Sequence, residues 1–407
     1  MKTKHYIAAL CVCLATLAAF SFILNFWNRA PEGSVLKVGF IYAEDESTPY
    51  TANFIRAQTE LEKALGSRIQ TFVRSNVPGK EMTEPLWELL QRGCGIIFTN
   101  VNSNQVGEVA EQFPEAQVCQ VSAADMEQTV TPANYHTFNG AAYEGSYISG
   151  VAAGMKLRQL LDSGSITPAE ALIGYVGSQK NTETISGFTA YLLGARTVAP
   201  EAVMRVCYTG AGSSYSREKE AAEKLLKENC VIIAQGTSTI GPVIACQEAA
   251  HTREVWHTGV HESMTDLAPN VSLTGYRINW APYVLGAVRA VMNRRSIEST
   301  VEGRAFGQDM CAGFERGWVE MLEVNRMTAA DGTEEKINNL VDSLRAGKTQ
   351  VFQGNYTGVD PDNPEDTIDL RTGYLENQDS SVAGFHYILK NCITIETDNT
   401  DSESSQE

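Results

Sequence analysis

Three histidines and a glutamate crowd one short stretch, His251, His257, His261 and Glu262. Imidazole and carboxylate are zinc ligands, and His257 and His261 stand four residues apart. That spacing puts two side chains on one face only in a helix. The surrounding WHTGVHES reads as strand and loop around Gly259, so no metal site is expected, and His261 or Glu262 is read as reaching into a cleft. Gly347-Lys348-Thr349 ends like a phosphate-binding loop, but it lacks the upstream glycine and follows a predicted helix. There is no Gly-x-Ser-x-Gly elbow, no complete phosphate loop and no dinucleotide fingerprint after a strand. No carboxylate pair is placed for acid–base work. Neither catalysis nor a cofactor is expected. What remains is chemistry that holds a ligand without transforming it.

The residues suited to that task follow predicted strands. Asn100 and Gln235 donate and accept at once, and Thr99 and Ser122 offer hydroxyl groups. Asn139 stands where one half of the chain passes into the other. Tyr50 and Trp280 are candidates to stack on a flat surface. Such a set suits a neutral polar ligand.

The elements that must position them read as strands alternating with helices, the pattern of a parallel sheet covered on both faces. Residues 35–42 (VLKVGFIY) form a continuous apolar run, followed by a polar loop and a helical stretch that stops at Gly66. The order then repeats. LIGYV at 172–176 stands where VGFIY stood, and NCVIIAQGTST answers GCGIIFTNVNS. Gly39 pairs with Gly174, Val73 with Tyr208 and Cys94 with Cys230, each about 135 residues apart. Two βα units of one design are expected, with ligand-binding loops beyond the carboxyl ends of both sets of strands. Residues 138–157, FNGAAYEGSYISGVAAGMKL, read as the crossover between them, and small residues at helical spacing there let a helix lie close to a neighbouring backbone.

The whole chain has 407 residues and a net charge of −17, which argues against nucleic acid as a partner. Nine scattered cysteines without a Cys-x-x-Cys make neither a disulfide framework nor a zinc pattern, although Cys94–Cys119 and Cys207–Cys230 stay open as pairings. Lys2 and Lys4 precede an uncharged run over residues 7–27 that is long enough to span a bilayer. A retained anchor and a processed signal both fit, and both place the body outside the cytoplasm. The acidic residues 394–407 read as a disordered tail.

AYEGSYISGVAAGMKL, GFTAYLLGARTVAPEA, EKEAAEKLL, VIIAQGTST and INWAPYVLGAV resemble the basic-membrane-protein family of ABC transporter substrate-binding proteins, similar to the purine-nucleoside-binding lipoproteins. The closing segment VFQGNYTGVDP to DTIDLRTGYLEN is also similar to members of that family. The resemblance implies an α/β type I periplasmic-binding-protein fold, two Rossmann-like lobes joined by a multi-strand hinge. It implies a membrane anchor segment and linker at 1–33, a first lobe at 34–138 rejoined by about 281–325, and a second lobe at 139–280. Residues 326–393 would form a C-terminal helix and a strand-loop closing segment. It adds Asn53, Ser238 and Glu262 as ligand-binding positions. Here the family's usual asparagine at Thr189, and its usual aromatic and acidic groups at Gly212, Ser214 and Ser238, are replaced, so a divergent small ligand is implied. The implied role is an extracytoplasmic solute-binding protein, acting as a monomer beside an ABC permease. A ligand sensor of the same fold, and an exported enzyme using the cleft, are the alternatives.

Overall fold

Buried β-branched and aromatic runs make the strands of this protein, and the intervening helices cover them. The computed structural model describes residues 35–127 and 129–396. The expected anchor at 1–33 and nearly all of the acidic tail lie outside the described residues. Among the described residues no helix is long and apolar enough to cross a membrane.

The first lobe runs β1 (Leu36–Ile41), α1 (Pro49–Leu65), β2 (Ile69–Arg74), α2 (Thr83–Gln91), β3 (Ile96–Thr99), α3 (Val106–Glu111), β4 (Gln117–Val121) and β5 (Tyr135–Gly140). Its parallel strands lie in the order β5-β4-β3-β1-β2. The chain then crosses into the second lobe. There α4 (Ala142–Ser163), β6 (Leu172–Gly177), α5 (Thr182–Arg196), β7 (Val203–Tyr208), α6 (Tyr215–Lys227), β8 (Ile232–Gly236), α7 (Gly241–Ala249), β9 (Trp256–Val260) and β10 (Ser272–Ile278) follow. Their order, β10-β9-β8-β6-β7, is that of the first lobe again.

The repeat extends to single contacts. A Cβ on Gly39 would meet Ile97 and Leu89, and one on Gly174 would meet Ile233 and Leu225, the residues at matching positions. Cys94 N donates to Leu89 O at 3.1 Å, and Cys230 N donates to Leu225 O at 3.1 Å. The seven described cysteines are all free.

Among the described residues the chain passes between the lobes three times. After β5 it enters α4. After β10 it returns as α8 (Ala281–Met292), whose Tyr283 stacks on Phe138 at 3.8 Å between ring centroids, and then adds β11 (Arg304–Phe306) and β12 (Asp309–Ala312) to the first sheet. It crosses again to β13 (Val319–Met321), antiparallel to β10. The sequence reading kept everything from about 281 to 325 with the first lobe. The stretch after Ala312 departs because Asn279 N donates to Trp318 O at 2.7 Å and Leu322 N to Gly275 O at 2.8 Å, drawing it onto the second sheet.

The crossover helix α4 lies against α5 without intervening side chains. A Cβ on Gly150 would sit 1.9 Å from Tyr191 O, and one on Gly194 would sit 2.0 Å from Tyr147 O. Beyond α9 (Thr333–Arg345) the chain forms a small sheet of β14 (Thr357–Val359), β15 (Thr367–Asp369) and β16 (Ile388–Leu389). The described residues close with β17 (Ile393–Ile395), paired in parallel with β7 on the second lobe, so Thr394 and Ile395, expected in the disordered tail, are instead ordered by that pairing.

Candidate functional site

The strand tips of the two sheets face each other, and several side chains meet across the seam. Arg56 on α1 places Nη2 2.7 Å from both carboxylate oxygens of Glu262, in the loop after β9. Tyr50 and His261 meet edge to face at 5.1 Å between ring centroids. Glu183, in the first turn of α5, accepts from Ala124 N at 3.1 Å and from Asn139 Nδ2 at 3.0 Å, both on the first lobe. Loss of solvent at the seam, with Asp125 nearby, raises the Glu183 carboxyl to about 7. The lobes are therefore closed on each other.

Of the ten expected site residues, four make contacts across this seam, Tyr50, Ser122, Asn139 and Glu262, and a fifth, Asn100, directly follows β3 in the first lobe. Asn100 Oδ1 accepts from Ala43 N at 3.0 Å, which ties the loops after β3 and β1 together. Its Nδ2 is buried with no partner among the described residues. Ser122 pairs its hydroxyl with that of Ser381. Ser238 stays part-exposed on the second lobe's rim, with its hydroxyl 3.4 Å from Gly212 O.

The other four hold the protein itself. Thr99 Oγ1 accepts from Val101 N at 3.0 Å, and Asn53 Nδ2 donates to Ile278 O at 2.8 Å, clamping α1 to the end of β10. Gln235 Nε2 donates to Thr239 O at 3.1 Å, and its Oε1 lies 2.8 Å from His257 Nε2. Trp280, expected to stack on a ligand, is only 3% exposed, with its ring between Phe54 at 5.4 Å and Phe138 at 5.7 Å. It lies where α8 begins, so its position serves the hinge.

Among the other buried polar atoms that share Asn100's state, which include Trp280 Nε1, four lie in or beside the turns that follow strands. Thr51 Oγ1, Tyr208 Oη, Thr237 Oγ1 and His261 Nδ1 are buried without partners among the described residues. Thr51 opens the helix after β1, Tyr208 ends β7, and Thr237 and His261 directly follow β8 and β9. A polar residue at or just past a strand's carboxyl end was the available signal. Burial lowers His261 to about 4 and His257 to about 3, so both imidazoles are neutral at pH 7. They lie on or beside one strand with no shared ligand position. Among the described residues, the cluster whose ligand atoms come within 4.8 Å of one another is Asp360, Asp366 and His386, on the C-terminal segment.

The Arg56 guanidinium at the seam is already paired with Glu262. The arrangement can therefore accept a small body that offers hydroxyl or amide groups to both lobes at once. A family of proteins built this way is matched by residues 48–344, described as Bmp, ABC transporter substrate-binding protein PnrA-like. The chain belongs to this family.

This Bmp-family chain is 26% identical to a purine-binding protein of Brucella abortus (strain 2308) over 345 residues, which cover 84% of this chain and 89% of that protein. A solved ABC transporter solute-binding protein from Conexibacter woesei DSM 14684 superimposes with a TM-score of 0.57 at 15% identity, over 78% of this chain and 98% of its own. A transcriptional activator of the comK gene from Bacillus halodurans gives 0.58 at 16% identity, over 77% and 99%. At such identities the likeness is one of fold. The type I periplasmic-binding-protein architecture that the family resemblance implies is the one observed, and it agrees with the duplication read from the residues. The family is one of substrate binding, with a small-molecule ligand and a permease as its partners.

Proposed function

We propose that this protein captures a small, neutral, polyhydroxyl ligand between its lobes outside the cytoplasm and presents the closed form to an ABC permease. A purine nucleoside is the first candidate, given the purine-binding relative. The observation that carries this reading is the set of orphaned polar atoms at the strand tips of both lobes, Thr51, Asn100, Tyr208, Thr237 and His261. Each buried group without a partner costs about 1–3 kcal/mol, so a ligand that satisfied several would bind the closed form selectively. Selective affinity for the closed state shifts the balance between open and closed forms further toward it. Tyr50, Ser122, Asn139, Ser238 and Glu262 would border the ligand, while Asn53, Thr99, Gln235 and Trp280 hold the walls and the hinge.

The protein works without chemistry on its ligand, as a monomer held at the membrane by its N-terminal segment. Thermal-shift screening with purine nucleosides, free bases and small sugars tests the reading. A tight hit raises the unfolding midpoint as its concentration passes the Kd. No shift with any neutral polyhydroxyl compound, or turnover of a hit, would overturn it.

A further inference from the structure

The C-terminal segment beyond residue 344 lies outside the family match and touches both lobes. On the second lobe it is built in. β17 pairs with β7, Met204 N donates to Cys392 O at 2.8 Å, and Thr189 Oγ1 donates to Tyr387 O at 3.0 Å. Ser186 Oγ on α5 donates to Glu376 Oε2 at 3.1 Å. Phe385 and Leu389 are fully buried in the main core.

From that anchor the loop 376–382 reaches the first lobe. Asp309 Oδ2, on β12, accepts from Ser381 N at 2.6 Å and from Ser380 Oγ at 3.1 Å. Asp309 Oδ1 is held by Thr137 Oγ1 on β5 at 2.8 Å, so the carboxylate is fixed to the first sheet. Arg304 Nη1 on β11 donates to Asn377 O at 3.1 Å, and Ser381 meets Ser122 at the tip of β4.

The loop is stiff in itself. Glu376 Oε1 accepts from Gly384 N at 2.6 Å, and Asn377 Nδ2 donates to Ser381 O at 2.9 Å. These two bonds need no partner on the first lobe, so part of the loop's ordering cost is met before the lobes meet.

We infer that the loop 376–382 is a latch, carried by the second lobe, which fastens the first lobe at Asp309, Arg304 and Ser122 and holds the lobes together before any ligand arrives. Opening of the cleft then requires release of these contacts, and Asp309 and Arg304 are positioning residues that set the balance between open and closed forms. Ser381 also braces Ser122, so the latch reaches the rim of the proposed ligand site.

Small-angle scattering from the full, ligand-free chain tests this without reference to any ligand, so its failure is separate from failure of the binding reading. Wild-type protein should scatter as the closed structure. D309A should show a larger radius of gyration with an unchanged circular dichroism spectrum. R304M, on an edge strand, keeps the side chain's apolar stem and carries the test should D309A not fold; it should also expand the particle. Combining the two should expand it at least as far as either alone. Profiles of wild type and both variants that superimpose, whether all closed or all open, would overturn the latch. So would a wild-type chain already open without ligand.

Discussion

Replacing Glu183 with Gln separates a proton-linked contact from an ordinary one. The folded carboxyl is raised from 4.5 to about 7 by loss of solvent at the seam, while in the unfolded chain it ionises near its ordinary value. The folded state therefore binds the extra proton between those two values. The stability linked to this proton is complete below pH 4.5, is lost as pH rises toward about 7, and stays lost above that. At about 1.36 kcal/mol per pH unit, the interval corresponds to roughly 3 kcal/mol. Glutamine does not titrate. It keeps one acceptor for Ala124 N or Asn139 Nδ2 and turns an amide N–H toward the other donor, at about 1–3 kcal/mol at every pH. Urea unfolding of both chains, from about pH 4.5 to 8.5, measures the difference. Wild type should be the more stable at the acid end, and its lead should shrink by roughly 3 kcal/mol by about pH 8, leaving E183Q level with it or ahead. Taking the difference cancels other titrating groups, including Glu144, which burial also raises to about 7. A difference that stays constant across this range would refute the reasoning.

Three further outcomes are expected. Gly150→Val should destabilise by at least about 1–3 kcal/mol in urea unfolding, because the clash is with the Tyr191 carbonyl and no rotamer relieves it; a neutral effect would mean that α4 and α5 separate freely. An Arg56→Ala and Glu262→Ala double-mutant cycle on ligand affinity should give a coupling of only about 0.2–1 kcal/mol, since Arg56 is 41% exposed, and the coupling should fade with added salt; a salt-independent coupling of several kcal/mol would contradict a half-exposed pair. Asn100→Asp keeps the acceptor for Ala43 N and replaces the orphaned donor with a buried carboxylate, so ligand affinity should fall by at least about 1–3 kcal/mol and the unfolding midpoint should fall with it; unchanged affinity would remove Asn100 from the site.

The two-lobe design was legible because the same physical demands recur at a constant spacing. Gly39 and Gly174 each leave room for an isoleucine of the next-but-one strand in sequence and a leucine of the covering helix, and the cysteines before β3 and β8 fill matching buried positions. Local pattern carries that information. It does not say where a strand of three residues will pair, and β13 was assigned to the wrong lobe because its partner, β10, lies about 40 residues back in the chain. For the site, proximity to a strand tip was readable, but the direction of each side chain was not. Thr99 and Asn100 are neighbours, yet one hydroxyl serves its own loop and the other residue's amide is left unsatisfied. Trp280 looked like a stacking surface because it is large, aromatic and near a crossover. Phe54 and Phe138, distant in sequence, enclose it instead. The part of Asp309 could not be read at all, because its partner loop lies some 70 residues further along the chain.

Most direct is a crystal structure of the full chain grown with the strongest compound from the thermal-shift screen. Density for that compound between the two sets of strand tips, within hydrogen-bond reach of Asn100 Nδ2 on one lobe and Tyr208 or Thr237 on the other, is the expected result. Density confined to another surface, such as the 380 Å³ cavity lined by Tyr143, Arg304 and Phe352, with the strand-tip groups still unpartnered, would contradict it.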